Sequence, residues 1–389
     1  MKMKPWVLLL GMFAGGVCAA AEFDEMLACP PTVCAVGREY QIMVPVTKPT
    51  LMWCEVGGQI FYDESNGIVR SDTDVHRLIV PQELLDKARR YKLFCREVKE
   101  RKVYFTETGE ELSREYAFRP IAPDAKDIRI YHLADAHSMI EPLVKAAGYW
   151  GDKLDLLIMN GDMMLDCGKM EYLAAPYQIS GTVTRGEIPV ICTRGNHDLR
   201  GFYAERYADV TPSYEGKTYY TFRLGPIWGV VLDCGEDKPD TNAEYGYTSC
   251  CAAFRKRQTA YLEALAKRPA EEFDAPGVRF KLVVCHVPFV YTPPKPPFNI
   301  ESDTYSTWCR ILREKIRPDV ILSGHWHKID VIRPGDPKDH NGAPCPVIVG
   351  SEPDRKKKLF TGAAVELMPK SIRVWFTDQD GKVVRQDKF

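Results

Sequence analysis

After residue 127, five short apolar runs each end directly before polar residues of the same few types. The runs span residues 128–133, 154–159, 188–192, 280–284 and 320–322. A short run rich in Ile, Leu and Val predicts a buried strand. Open α/β sheets carry their functional sites just beyond the carboxyl ends of such strands. The pattern therefore predicts that the polar residues after all five runs meet at one edge of a sheet.

Asp, Asn and His are the residue types that follow these runs. They occur as Asp-Ala-His at 135–137, Asn-Gly-Asp at 160–162, Gly-Asn-His-Asp at 195–198 and Gly-His-Trp-His at 324–327, with a lone His at 286. A lone His after a strand is usually structural, but in this company we interpret it as a metal ligand. One metal cluster explains the set, whose candidate side chains are Asp135, His137, Asp162, Asn196, His197, His286, His325 and His327.

The segments between these strands carry helical and further strand patterns. Ser138 and Glu141 have the spacing of a capping box, which favours a helix directly after the first motif. Helices are also predicted at about 169–179, 254–267 and 304–316, a hairpin at 219–224 and 227–232, and late strands at 347–349, 363–367 and 372–376. The alternation of strand and helix predicts an α/β layered domain.

The region before these motifs has a different pattern and reads as all β. Candidate strands lie at 40–46, 51–56, 59–63, 75–80, 91–98, 102–106 and 116–119, with Gly, Pro and Asn turns between them. Short strands with regular turns predict a β-sandwich. Trp53 fits a sandwich core, and Tyr91 resembles the tyrosine corner of fibronectin type III domains, although both also fit as generic core aromatics.

A linker at 121–125 completes the division of the chain into segments. The resulting prediction is a signal segment at 1–21, a fibronectin-like sandwich at 22–120 and an α/β domain at 121–389. The signal interpretation rests on Lys2 and Lys4, an apolar run at 6–17 and small residues at 19–21. That run is short for a bilayer crossing of about 20 residues, although an uncleaved anchor is the alternative. With no later apolar stretch of that length, we expect a mature protein that is exported, either periplasmic or secreted.

The net charge limits the kinds of partner that the protein is expected to bind. The formal net charge of -1 over 389 residues argues against a general affinity for nucleic acid or anionic membranes.

The cysteines do not predict a zinc site. None of the 13 cysteines shows the Cys-x-x-Cys spacing of a zinc site. Cys29 with Cys34, and Cys54 with Cys95, are candidate disulfide pairs, Cys285 is a candidate free thiol of the core, and the adjacent Cys250 and Cys251 bridge elsewhere or stay reduced.

Taken in order, the five motifs resemble those of the calcineurin-like metallophosphoesterase family. The family pattern is Asp-x-His, Gly-Asp, Gly-Asn-His-Asp/Glu, a lone His after a strand, and Gly-His-x-His. The match runs over about residues 127–330 and is specific because all five motifs occur in the family order. The resemblance implies a four-layer fold of two mixed sheets flanked by helices.

The resemblance also implies a role for each matched residue. One metal ion would be held by Asp135, His137 and His327, and a second by Asn196, His286 and His325. Asp162 would bridge the two ions. His197 would act as a proton donor or charge stabiliser beside them, and Asp198 would orient His197.

One departure separates this chain from a neighbouring branch, the purple acid phosphatases, which also join a fibronectin-like domain to this fold. They carry a Tyr three residues after the bridging Asp and lack the His of the first motif. Here the equivalent position is Leu165, and His137 is present. The resemblance therefore implies the plain dimetal branch, without iron–tyrosinate colour.

Phosphate ester chemistry explains these residue types without reference to a family. Two cations about 3.5–4 Å apart neutralise the phosphate charge and generate a hydroxide nucleophile near neutral pH. Oxygen and nitrogen ligands without thiolate suit Mn, Fe, Zn, Co or Ni. We expect an exported dinuclear phosphoesterase that acts on small phosphate esters, with a phosphomonoesterase preferred. The alternatives are a phosphodiesterase acting on nucleotides or phospholipid head groups, and a non-catalytic binding protein that retains its metals.

Overall fold

The computed structural model describes residues 21–389. Residues 1–20, which hold nearly all of the predicted signal segment, lie outside the described residues. Among the helices of residues 21–389, none has the length and apolarity needed to cross a bilayer.

A ten-stranded mixed sheet forms one layer of the structure. Its strands, numbered along the chain and given in spatial order, are β23 (Val383–Lys388), β22 (Ser371–Asp378), β21 (Leu359–Met368), β11 (Ile128–Leu133), β12 (Leu156–Asn160), β13 (Pro189–Thr193), β1 (Thr32–Val36), β2 (Glu39–Pro45) and β7 (Val75–Pro81), with β20 (Glu352–Asp354) paired to β21. The four central strands β11, β12, β13 and β1 run parallel, so their carboxyl ends lie at one edge.

A six-stranded sheet faces the first one. Its spatial order is β14 (Tyr220–Leu224), β15 (Ile227–Leu232), β16 (Phe280–Cys285), β17 (Val320–Ser323), β19 (Val347–Val349) and β18 (Asp330–Ile332). Strands β15, β16, β17 and β19 are parallel, and the predicted hairpin is formed by β14 and β15.

Helices cover the outer faces of both sheets. The α-helices include residues 21–26, Gln82–Ala88, Glu141–Ala147, Ala175–Thr184, Tyr207–Val210, Cys251–Ala266 and Ser302–Ile311, the last continued by a π-helical turn at Leu312–Ile316. Short 3-10 segments lie at Gly148–Lys153, Met170–Ala174, His197–Leu199, Ala204–Arg206 and Ala243–Tyr245.

The core confirms the four-layer arrangement predicted from the sequence. Between the sheets, Ile130 and Ile158 of the first pack in one cluster with Val284 and Leu322 of the second. A second cluster packs the helices Glu141–Ala147 and Ala175–Thr184 on the outer face of the ten-stranded sheet. A third packs Leu262 and Trp308 of the helices Cys251–Ala266 and Ser302–Ile311 against the six-stranded sheet. Alternate side chains of the buried strands thus fill an inner and an outer core.

The N-terminal region is rich in strands, as predicted, and its strands are divided between two sheets. Strands β1, β2 and β7 join the ten-stranded sheet, where Val33 of β1 pairs with Pro189 of β13. A separate antiparallel sheet contains β3 (Thr50–Val56), β4 (Gln59–Tyr62), β8 (Arg90–Glu100), β9 (Glu107–Thr108) and β10 (Leu112–Ala117), and β5 (Glu64–Ser65) pairs with β6 (Ile68–Val69). The domain boundary at residue 120 stays a prediction, since strands from both sides of it share one sheet.

Several local predictions for this region need correction. Residues 102–106 form a turn instead of a strand, and β1 and the helix Gln82–Ala88 were not predicted. The tyrosine-corner interpretation is wrong, because the hydroxyl of buried Tyr91 donates to the distant carbonyl of Gly186 at 3.0 Å. A tyrosine corner bonds backbone a few residues upstream. Trp53 is half-buried and stacks on Phe94 at 5.6 Å.

The cysteines of residues 21–389 are all free, so the disulfide pairs suggested for Cys29 with Cys34 and for Cys54 with Cys95 are not formed. Cys285 is a buried free thiol, as predicted, and its Sγ lies 3.4 Å from that of Cys234 on the neighbouring chain segment.

Candidate metal centre

The five motifs occupy loops that follow the parallel strands β11, β12 and β13 of one sheet and β16 and β17 of the other. Five of the motif residues have positive φ angles without being glycine: Asp135 (54°), His137 (45°), Asp162 (52°), His325 (72°) and His327 (51°). Non-glycine residues enter this left-handed region at a cost, and such strain is concentrated at functional sites. The backbone is thus held in the conformations that turn these side chains toward one another.

Two glycines let the loops approach closely. A Cβ added to Gly161 would lie 2.7 Å from both the Cα of Gly195 and the Cγ of His286. Gly161 also has a φ of +77°, which glycine adopts without strain. A Cβ added to Gly195 would lie 2.2 Å from Asp162 Oδ1. Gly161 is therefore needed for packing and for the turn, and Gly195 for packing.

Asp135, His137 and His327 form the first of the predicted ligand groups. The Nε2 atoms of His137 and His327 lie 2.9 Å apart, and His327 Nε2 lies 3.4 Å from Asp135 Oδ1. Candidate ligand atoms of all three residues lie within 4.8 Å of one another. Two imidazole nitrogens that face each other beside a carboxylate make a donor set suited to a cation.

Asp162, Asn196, His286 and His325 form the second group. His286 Nε2 lies 3.3 Å from Asp162 Oδ2, and His325 Nδ1 lies 3.0 Å from Asn196 Oδ1. His286 donates from Nδ1 to the carbonyl oxygen of Asn160 at 2.6 Å. Its buried Nε2 has no hydrogen-bond partner among residues 21–389, which fits a nitrogen reserved for a metal ion.

Asp162 lies between the two groups, as a bridging ligand must. It belongs to the cluster with His286 and His325, and also to one with His137 and His197. His286 Nε2 is in addition 3.7 Å from Asp135 Oδ1, so the first and second groups adjoin. In the cluster of His137, Asp162 and His197, the ligand-type atoms lie within 4.8 Å of one another, so the position of His197 fits a metal ligand as well as the predicted proton donor.

The electrostatics of the centre favour ionised carboxylates facing cations. Burial is the largest single influence and raises the pKa values of Asp135 and Asp162, but the charge of His286, together with contacts to the other histidines of the centre, lowers both overall. Burial by itself lowers the pKa of His286. The charges of Asp162 and Asp135 together have a larger effect in the opposite direction and raise this pKa to about 10. Burial lowers the pKa of His137 to about 4, which keeps that imidazole neutral as a metal ligand must be.

His197 is oriented by a backbone carbonyl. Its Nδ1 donates to the carbonyl oxygen of Leu165 at 3.0 Å, which leaves Nε2 as the atom able to exchange a proton at the site. That Nε2 lies 3.4 Å from Nη1 of Arg200.

Asp198 does not have the predicted orienting role, because its contacts lie elsewhere. Its Oδ2 accepts the backbone N–H groups of Gly195 at 2.8 Å and of Asp162 at 3.1 Å. Burial, and next the charge of Asp162, raise the pKa of Asp198 to about 7. The side chain therefore fastens two motif loops together, while Leu165 holds the His197 ring.

Asn160 has a structural role at the centre that the sequence did not suggest. Its Nδ2 lies 2.9 Å from both His132 Nε2 and the carbonyl oxygen of Leu322, and its Oδ1 accepts the hydroxyl of Thr193 at 2.7 Å. Its carbonyl oxygen holds His286. The signal in the sequence was an Asn at the end of a predicted buried strand, directly before Gly-Asp. A buried amide must find hydrogen-bond partners, and Asn160 is fully buried.

Ser351 is a second residue that the motifs did not reveal. Its buried hydroxyl donates to Asp135 Oδ2, which also accepts the backbone N–H of His325 at 2.9 Å. Ser351 follows strand β19, whose carboxyl end lies at the same sheet edge as those of β16 and β17. The position of Ser351 after a predicted strand was the only feature of the sequence that could have identified this residue. Ser138 was predicted to cap a helix, but its hydroxyl instead accepts the backbone N–H of Leu165 at 3.0 Å.

A charged network borders His197 and His325. Arg200 makes two hydrogen bonds to buried Glu236, with Nε at 2.7 Å from Oε1 and Nη2 at 2.9 Å from Oε2. Tyr245 donates its hydroxyl to the same carboxylate at 2.9 Å, and Asp237 Oδ2 lies 3.5 Å from His325 Nε2. The segment after β15 therefore borders the centre.

Comparisons with known proteins agree with this geometry. A model of the family "Calcineurin-like phosphoesterase" matches residues 128–329, just over half of the chain. No curated protein sequence matches the chain.

Two solved structures share the fold over nearly the whole chain. A purple acid phosphatase, PPD1 from seeds of yellow lupin (Lupinus luteus), is 12% identical, with 93% of this chain and 74% of that chain covered at a TM-score of 0.56. The structure of PhoD is 10% identical, with 94% and 90% covered at a TM-score of 0.54. At these identities the likeness shows the fold alone. The family model, together with the His and Asp clusters at the strand ends, shows that the chain belongs to the calcineurin-like phosphoesterase family and is a metal-dependent phosphoric ester hydrolase.

Proposed function

We propose that the protein is an exported phosphomonoesterase with two metal ions at the centre described above. The observation that carries the monoester preference is the position of Arg200, whose guanidinium lies beside His197 at the rim of the centre. The substrate is a small phosphate ester, and the preference between mono- and diesters follows from the charges that face it.

In this proposal Asp135, His137 and His327 would hold the first ion, and Asn196, His286 and His325 the second. Asp162 would contribute to both sites. The short distances within each group and the partnerless Nε2 of His286 support these assignments. Bound at this site, the two ions supply positive charge and a water of lowered pKa as the nucleophile.

In the proposed reaction His197 donates a proton, and the backbone carbonyl of Leu165 orients its ring. Because the Leu165 carbonyl fixes the Nδ1–H of His197, a protonated ring presents its second proton at Nε2. Donation from Nε2 to the departing ester oxygen avoids the release of a strongly basic alkoxide.

Arg200 binds a non-bridging oxygen of the phosphate. Glu236 occupies one edge of its guanidinium, while Nη1 faces His197 at 3.4 Å and Glu244 at 3.4 Å. Glu244 is in turn paired with Lys238 at 2.8 Å, which offsets its charge. A monoester dianion carries one more negative charge than a diester, so it gains more from this additional cation.

A phosphodiesterase acting on nucleotides is the second candidate, and an aromatic pair favours it. Trp326 lies between the ligands His325 and His327, and its ring centroid is 5.2 Å from that of Tyr291. Stacking of a base on an aromatic side chain contributes about 1–3 kcal/mol. In this alternative the base of the leaving nucleoside packs against Trp326.

Hydrolysis of para-nitrophenyl phosphate and of bis(para-nitrophenyl) phosphate distinguishes the candidates. The metal-stripped protein is reloaded with Mn, Fe, Zn, Co or Ni in turn, and kcat/KM is measured for both esters. We expect metal-dependent turnover with the monoester faster, and Arg200→Gln should lower kcat/KM for the monoester about tenfold more than for the diester.

Arg206→Gln is the matched control, because Arg206 is half exposed and approaches Asp209 only at 3.9 Å. Equal losses on both esters in Arg200→Gln would contradict the role of Arg200, and a faster diester would favour the phosphodiesterase. Absence of turnover with metals bound would favour the binding protein that retains its metals.

Export is proposed on the sequence of residues 1–21 alone. The basic start, the apolar run and the small residues before Glu22 are typical of a cleaved secretory signal. Fractionation of expressing cells and N-terminal sequencing of the product test this: a mature chain that starts near Glu22 outside the cytoplasm is expected, and an intact Met1 in a membrane fraction would indicate the uncleaved anchor.

A further inference from the structure

Three consecutive apolar residues are exposed at the tip of the turn between β8 and β9. Val103, Tyr104 and Phe105 are 90%, 78% and 94% exposed. Single exposed apolar residues are ordinary, whereas a contiguous group at one tip usually marks an interaction site.

The turn that presents these residues is built from specific polar contacts. The Thr106 hydroxyl accepts the backbone N–H of Lys102 at 3.3 Å and donates to its carbonyl at 3.2 Å. The Lys102 ammonium contacts Glu107 and also Glu100, the latter at 3.1 Å. These bonds close the loop at its base and leave the three apolar side chains outside it.

Phe105 has a φ of +59°, in the left-handed region that bulky residues rarely occupy. A turn with this backbone conformation favours Gly or Asn, yet this one carries an exposed aromatic ring. Strain of this kind is most often retained for function.

Basic side chains surround the base of the tip. Lys99 and Arg101 are exposed, and within residues 21–389 neither forms a salt bridge with a carboxylate. Arg101 instead approaches the Ser71 hydroxyl at 3.4 Å. Because Glu100 and Glu107 both contact Lys102, the cations of Lys99 and Arg101 remain available to phosphate head groups.

We propose that the tip formed by Val103, Tyr104 and Phe105 inserts into the interfacial region of a lipid membrane. A specific protein interface takes about 20–30 residues on each side, and three residues at a convex tip supply far fewer. A few apolar and aromatic side chains backed by Lys and Arg suit the boundary between head groups and acyl chains. Insertion depends on the tip itself and is compatible with a formal net charge of -1 for the whole chain.

Co-sedimentation with lipid vesicles tests the proposal on the mature chain. The vesicles are pure phosphatidylcholine, or phosphatidylcholine with a third of phosphatidylglycerol. We expect binding to both, stronger to the second. The triple variant Val103→Ser, Tyr104→Ser, Phe105→Ser should lower the partition coefficient by about tenfold or more on both.

The control variant is Val383→Ser, Val384→Ser, which removes two exposed apolar residues from the terminal strand β23. It should bind vesicles like the parent. Lys99→Ser, Arg101→Ser should lose only the additional binding to anionic vesicles. Hydrolysis of a soluble ester by the triple variant reports separately that the chain is folded.

Three outcomes would overturn the proposal. The parent protein could fail to bind either vesicle, or the triple variant could bind as well as the parent. Alternatively, the parent could form a concentration-dependent dimer that the triple variant loses, which would identify a second copy of the chain as the partner of the tip.

Discussion

The replacement Ser351→Ala should weaken metal binding although Ser351 is not a ligand. Its hydroxyl is fully buried and donates to Asp135 Oδ2, the carboxylate proposed for the first metal ion. The backbone N–H of His325 also donates to Asp135, with bonds of 3.1 and 2.9 Å to the two oxygens. Without the hydroxyl, the carboxylate loses one of the bonds that fix its orientation.

The magnitude follows from the charge on Asp135. A hydrogen bond to a charged group contributes about 1.5–3 kcal/mol, and outer partners of metal ligands typically change metal affinity about 10–100-fold. We therefore expect the dissociation constant of the first metal ion to rise about 10–100-fold. Isothermal titration of the metal-free protein with Mn or Zn measures this directly, independently of activity.

Ser323→Ala is a closely matched control. Ser323 is also a fully buried serine, and its hydroxyl has no hydrogen-bond partner among residues 21–389. Its removal should leave metal affinity unchanged. The reasoning would be refuted if Ser351→Ala bound metal within twofold of the parent protein, or if both alanine variants weakened binding equally.

Three further predictions follow from the centre. His197→Ala should retain metal but slow turnover about 10²–10⁴-fold if its Nε2 donates the proton; loss of metal in elemental analysis would make His197 a ligand. Because the pKa of His286 is raised to about 10, its imidazole is protonated at neutral pH without metal. Metal binding should therefore release a proton and tighten as pH rises toward 10, which titrations in buffers of different ionisation enthalpy will detect. With Leu165 at the position of the tyrosinate ligand, the iron-loaded protein should lack strong visible absorption, and a purple preparation would contradict that expectation.

The motif loops were predictable because each depends on a local signal. An apolar run that ends at Asp, Asn or His indicates a strand end, and strands β11, β12, β16 and β17 were found where those runs occur. The alternation of strand and helix predicted an α/β layered domain, and the family resemblance of the motifs implied the four-layer architecture. Contacts made by backbone groups could not be predicted from the sequence. Every residue has a carbonyl group, so the residue type at 165 does not indicate that this carbonyl accepts a hydrogen bond from His197.

The N-terminal region shows the limit of local patterns. Most of its strands were recognisable, although β1 was not, and the pattern of a strand does not specify its partner. The pairing of β1 with β13 joins segments that are far apart in sequence, and the hydroxyl of Tyr91 reaches Gly186, which lies 95 residues later in the chain. A short strand buried on both faces, such as Thr32–Val36, fits a sandwich and a mixed sheet equally well.

The metal centre depends on how the two sheets pack, because each sheet supplies part of every ligand group. Asp135, His137, Asp162 and Asn196 follow strands of the ten-stranded sheet, whereas His286, His325 and His327 follow strands of the six-stranded one. Asn160 joins the sheets directly, since its amide donates to Leu322 and its carbonyl holds His286. A shift of one sheet against the other would change the distances within both groups at once. The buried amide of Asn160 thus connects the two sheets at the place where the proposed ligand groups meet.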